Sequence, residues 1–133
     1  MSGSILLVED DASIRETLVL LLEEGGFKVQ CAINGQEALE HLRRAPELPT
    51  LILLDIMMPV MNGYQFRDEQ RKDGRLASIP TVILSADTDV HLKTARTGVK
   101  EYLKKPVSIE ALFKFAEKYC HGARIAPPSV KSA

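Results

Sequence analysis

Only two cysteines, Cys31 and Cys120, occur in 133 residues, and they are not spaced as metal ligands. That rules out a cysteine-based metal motif or a disulfide framework, and both are expected to be buried packing residues in a reduced, cytosolic setting. The three histidines, His41, His91 and His121, are not spaced as a metal set either and read as surface residues. No apolar run approaches the ~20 residues that a membrane span needs. The start, Met1-Ser2-Gly3-Ser4, has no signal-peptide core. Net charge is -1, which gives no support to a general affinity for nucleic acid or membrane surfaces. Internal repeats and low-complexity blocks are absent too. What remains is a chain with 45% hydrophobic and 26% charged residues, enough for one globular domain with a normal core.

The strongest segment is Thr50-Leu51-Ile52-Leu53-Leu54-Asp55-Ile56-Met57-Met58-Pro59. Four aliphatic residues run straight into a carboxylate, the pattern of a strand buried on both faces of a sheet. Ile5-Leu6-Leu7-Val8 is a similar run and ends in Glu9, Asp10 and Asp11. Asp11 is placed to cap a helix carrying Ile14, Leu18, Leu21 and Leu22, which Gly25-Gly26 stops. Phe27 to Ala32 reads as a strand. Asn34 with Glu37 resembles a capping box for a helix through Ala38, Leu39 and Leu42. Asn62 is expected to cap a helix through Tyr64 and Phe66 to about Lys72, ended by Asp73-Gly74. Pro80 to Leu84 is a fourth strand, with proline at its first position. A weaker, more polar helix from about Asp89 to Arg96 follows, closed by Gly98. Its poor apolar stripe predicts shallow packing. Glu101 to Lys104 forms a short fifth strand. Ser108 caps a last helix bearing Leu112, Phe113, Ala116 and Tyr119. Residues 1–122 are expected to form the domain, and 123–133, with Pro127-Pro128, a flexible tail or linker. Five strands alternating with five helices imply a parallel sheet covered on both faces.

Polar residues gather just after the strands: Glu9 and Asp10, Asp55, Ser85 and Lys105. In a parallel sheet these positions share one edge, where ligands of open α/β sheets bind. Three carboxylates there repel one another, and desolvation raises their pKa. A divalent cation and a lysine ammonium are the two groups that would hold them ionised. Hard oxygen ligands suit Mg²⁺. This is an arrangement for phosphoryl transfer to a carboxylate nucleophile, Asp55.

These motifs resemble the response-regulator receiver domain of two-component signalling. The likeness lies in Ile5 to Asp11, Leu53 to Pro59 with Asn62-Gly63, Thr81 to Ala86, and Tyr102 to Pro106, in order and spread over residues 4 to 120. The resemblance implies a flavodoxin-like, doubly wound five-stranded sheet of order 2-1-3-4-5 with five helices. It makes Asp55 the phospho-acceptor, Asp10 a direct Mg²⁺ ligand, Glu9 an acid acting through water, and Met57 a backbone-carbonyl ligand. It gives Ser85 and Tyr102 the switch positions. Lys105 becomes the phosphoryl-binding lysine, its bond to Pro106 cis. Asp11 is expected to cap rather than to bind metal, and Lys104 to be only a neighbour. Met57 and Asp87, two residues beyond the acceptor and the switch hydroxyl, are expected to tune the phosphoryl lifetime.

The implied function is a phosphorylation-dependent switch rather than an enzyme with an external substrate. A histidine kinase or histidine phosphotransfer protein would donate the group. The face of the fourth helix, fifth strand and fifth helix would change its affinity for a downstream protein or output domain, with no direct nucleic-acid or membrane contact. An aspartate-nucleophile phosphatase is the alternative, but that class carries a second acid two residues after its nucleophile, where Met57 stands. A flavin or nucleotide binder of the same architecture needs a glycine-rich phosphate loop after strand one, where acids stand instead. A stand-alone regulator and a receiver cut from a longer protein are both compatible with the sequence.

Overall fold

The computed structural model describes residues 3–86 and 90–120. Five strands, β1 (Ser4–Val8), β2 (Lys28–Ala32), β3 (Leu51–Asp55), β4 (Thr81–Ser85) and β5 (Tyr102–Lys104), alternate with five helices. The helices are α1 (Ala12–Glu24), α2 (Gly35–Arg44), α3 (Gly63–Lys72), α4 (Val90–Thr97) and α5 (Ile109–Tyr119). All strand pairs are parallel and the order is β2-β1-β3-β4-β5.

The continuous apolar runs of β1 and β3 fit this topology because central strands are covered on both faces. Alternation then sorts their side chains. Leu6, Val8, Ile52, Leu54 and Ile83 face Ala38, Leu39, Leu42 and Phe66 of α2 and α3. Ile5, Leu7, Leu51, Leu53, Val82 and Leu84 face Leu18, Leu22, Leu112, Phe113 and Ala116 of α1 and α5. On that second side Phe27 meets Phe113 edge to face, ring centroids 5.6 Å apart. The starts of α1, α2, α3 and α5 follow their sequence signals. The side chains of Asp11, Asn34, Asn62 and Ser108 accept from Ile14 N, Glu37 N, Gln65 N and Ala111 N.

Several expectations shift. The full capping box belongs to α3, where Gln65 Oε1 accepts from Asn62 N. At α2 the Glu37 carboxylate accepts instead from Ile33 N, one residue earlier. Phe27 precedes β2, Pro80 precedes β4 and Glu101 precedes β5. Cys120 is buried, but Cys31, on the edge strand β2, is exposed; both thiols are free. His91 is exposed, whereas His41 is half-buried. Helix α4 is not shallowly packed throughout. Among its described side chains the inward ones are polar, with Lys93 and Thr97 buried. Thr97 satisfies its hydroxyl locally, donating to Lys93 O and accepting from Val99 N. Arg67 of α3 donates to Thr97 O at 2.9 Å and to the fully buried Gln70 Oε1 at 2.8 Å. Arg71 reaches Arg96 O, and the Arg96 guanidinium lies 3.9 Å from the Tyr64 ring centroid. A polar seam thus joins α3 to α4 where a buried apolar stripe would ordinarily do so. The expectations for Asp87, His121 and the 123–133 tail fall outside the described residues.

Candidate functional site

Register brings the strand-end residues together. Val8 lies opposite Leu54, so Glu9 follows at the level of Asp55. Asp55 lies opposite Leu84, so Ser85 is one step beyond. Ser85 lies opposite Lys104, and Lys105 N donates to Ser85 O at 2.9 Å. A cleft of about 350 Å³ at this edge is lined by Glu9, Asp10, Asp55, Met57, Ser85 and Lys105 among others.

Local chemistry fixes the loops around it. The Arg15 guanidinium donates to Glu9 O at 2.8 Å and Asp10 O at 3.2 Å, tying the acidic loop to the first turns of α1. After Asp55, Gly63 allows a close approach: its N–H donates to Ile56 O at 2.8 Å, and a Cβ there would fall 2.6 Å from Asp55 O. Between them Val60 adopts φ 69° with its side chain exposed, a conformation that disfavours a β-branched residue. The Lys105–Pro106 bond is cis.

Glu9 and Asp55 are buried and Asp10 is exposed. One oxygen from each of the three carboxylates lies within 4.8 Å of the others. Lys105 Nζ lies 2.8 Å from Glu9 Oε1 and 3.3 Å from Asp55 Oδ1. The Glu9 contact is ionic but poorly aligned, so Oε1 has a cation beside it and no directed hydrogen-bond donor. Glu9 Oε2 accepts from Asp11 N. Burial first, and then the Glu9 charge, push the Asp55 carboxyl up to about 7 against the opposing pull of Lys105. For Lys105, burial acts to lower its pKa, but Glu9 and Asp55 together outweigh it and raise it. Clustered hard oxygens, one without a directed donor, together with a carboxyl that is costly to ionise, fit a divalent cation of the Mg²⁺ class.

Six of the predicted site residues therefore converge. Tyr102 does not line the cleft; it packs half-buried against the α2–α3 side, its hydroxyl 2.9 Å from Thr94 Oγ1. Lys104 is exposed. Three contributors were missed from the sequence. Arg15 could have been found from its position one turn into the helix after the acids. Tyr64 lines the cleft beneath Arg96. Lys93, 4% exposed, lines it from α4. Its signal was the i, i+4 spacing of Lys93 and Thr97 on one face of α4.

Among curated proteins the chain is 40% identical over 112 residues to the response regulator Rre1 of Synechocystis, covering 82% of this chain and 48% of that protein. It spans about half the length of several such relatives. Among solved structures, the chemotaxis response regulator CheY4 of Vibrio cholerae superposes with TM-score 0.79 at 29% identity, covering 90% of this chain and 99% of that one. The receiver domain of the sensor histidine kinase PA1611 of Pseudomonas aeruginosa, described with a magnesium ion coordinated in its active-site cleft, gives TM-score 0.78 at 25% identity, with 90% and 98% covered. Residues 5–117 match the response regulator receiver domain, and the chain belongs to that family.

Proposed function

We propose that Asp55 accepts a phosphoryl group from a phosphohistidine of a histidine kinase or histidine phosphotransfer protein. A carboxylate oxygen of Asp55 bonds to phosphorus as the bond to the imidazole nitrogen breaks, and the imidazole leaves with that electron pair. The observation carrying this reading is the convergence of three carboxylates and the Lys105 ammonium in one cleft of a receiver-family chain. Asp10, Asp55 and the Met57 carbonyl would hold Mg²⁺, with Glu9 acting through water. The bound ion would supply charge neutralisation and keep Asp55 ionised near neutral pH. Lys105, released in part from Glu9, binds the incoming group, and the Ser85 hydroxyl donates to it. Ser85 and Tyr102 then rearrange, shifting an existing equilibrium of the α4–β5–α5 face. A downstream protein or output domain reads that face, without direct nucleic-acid contact by this chain. The chain catalyses only its own phosphorylation and dephosphorylation. No described helix is long and apolar enough to cross a membrane, and the free, exposed thiol of Cys31 suits the reducing cytoplasm.

The test is intact mass after incubation with Mg²⁺ and a small phosphodonor such as acetyl phosphate. One added phosphoryl group is expected for the natural sequence and none for Asp55→Asn. No gain in the first, or an equal gain in both, overturns the reading.

A further inference from the structure

A lysine is seldom buried, because its ammonium loses hydration unless the surroundings replace it. Lys93 is 4% exposed, and it lines the same cleft as Asp55, Ser85 and Lys105. The described walls of that cleft carry four carboxylates, Glu9, Asp10, Asp11 and Asp55, against the two lysines. Lys93 therefore lines a cleft whose described charges are mostly negative even before a phosphoryl group arrives. Phosphorylation adds roughly two further negative charges and three strong acceptor oxygens. The position of Lys93 differs from that of Lys105. Lys105 is anchored at the end of β5, whereas Lys93 belongs to α4. The C-terminal turn of α4 is fixed to α3 through Arg67 and Thr97.

We propose that Lys93 is a second cationic contact for the phosphoryl group on Asp55 and couples that group directly to α4. This rests on the reading of Asp55 as acceptor. Lys93 acts on the helix itself, in parallel with the hydroxyl–aromatic pair Ser85 and Tyr102. In the phosphorylated form the lysine stem draws the N-terminal half of α4 toward the cleft, while the Arg67–Thr97 contact holds the other end. Bending of α4 about that anchor is the motion such a pull produces.

The experiment compares Lys93→Met and Lys93→Arg with the natural sequence, using acetyl phosphate, Mg²⁺ and intact mass over time. Loss of one charged contact is expected to slow phosphoryl gain by about tenfold or more in Lys93→Met, with Lys93→Arg restoring most of it. Equal rates in all three, with the natural protein phosphorylated, overturn this inference and leave the acceptor assignment standing. No phosphorylation of the natural protein removes both. A parallel measurement does not depend on the variants' rates: lysine ¹⁵Nζ NMR of the natural protein before and after beryllofluoride, a phosphoryl mimic, with Lys93→Arg used only for assignment. The Lys93 resonance is expected to move along with that of Lys105. Movement of Lys105 alone overturns the proposal.

Discussion

Lys105 Nζ stands closer to Glu9 Oε1, at 2.8 Å, than to Asp55 Oδ1, at 3.3 Å. This lysine is first the counter-ion of a fully buried glutamate and only second a neighbour of Asp55. Removing it strands Glu9. Lys105→Met is expected to destabilise the fold by about 3 kcal/mol, since an uncompensated buried charge is the costly outcome of breaking such a pair. Adding Glu9→Gln should recover most of the loss. Urea unfolding of the two single variants and the double variant, without divalent cations, measures this. Additive losses in the double variant would contradict it.

Asp55 gives stability a pH dependence of unusual sign for an aspartate. Its folded pKa is about 7, above its ordinary value of 3.8. Between those values the folded state binds more protons than the unfolded one, so stability falls as pH rises through about 4 to 7. Asp55→Asn removes this cost. Without divalent cations the variant should be more stable than the natural protein at pH 8, by on the order of 2–4 kcal/mol. The difference should shrink toward zero near pH 4. Thermal melts across this range check it, and a variant less stable at pH 8 would refute the burial argument.

Legibility in the sequence was uneven for physical reasons. β1 and β3 could be read because burial on both faces leaves uninterrupted apolar runs, and their carboxyl ends then put Glu9 and Asp55 on one edge. Cys31 was misread because edge position depends on strand order, which no local pattern carries. Lys93 was missed because helix periodicity looks for apolar residues, and α4 turns a lysine and a threonine inward, its C-terminal end meeting an arginine from α3. The pairing of Lys105 with Glu9 before Asp55 is a matter of tenths of an ångström, below what spacing can express.

Val60 combines φ 69° with 79% exposure. The side chain therefore gains little burial to offset its strained backbone. Val60→Gly is expected to stabilise the domain by about 1 kcal/mol, with glycine's greater unfolded-state freedom offsetting part of the relief. Equilibrium denaturation reports it, and a destabilised variant would show that Val60 makes contacts worth more than its strain.

Met57 is 76% exposed at the mouth of the cleft and cannot orient an attacking water by hydrogen bonding. Met57→Asn places an amide there and should shorten the phosphoryl half-life severalfold, followed as loss of added mass after the phosphodonor is removed. An unchanged half-life would separate the water-positioning role from this position.

The sheet keeps two apolar clusters apart, one beneath α1 and α5 and the other beneath α2 and α3, with α4 joined to the latter through its seam. The chain thus carries two nearly independent dials. Repacking around Leu22, Phe27 and Phe113 can raise or lower heat tolerance without retuning the α3–α4 seam. Substitutions at Arg67 or Thr97 act on the α3–α4 seam and leave the contacts of the opposite layer in place. Descendants of such a sequence could adapt to temperature and to a new listener by separate routes.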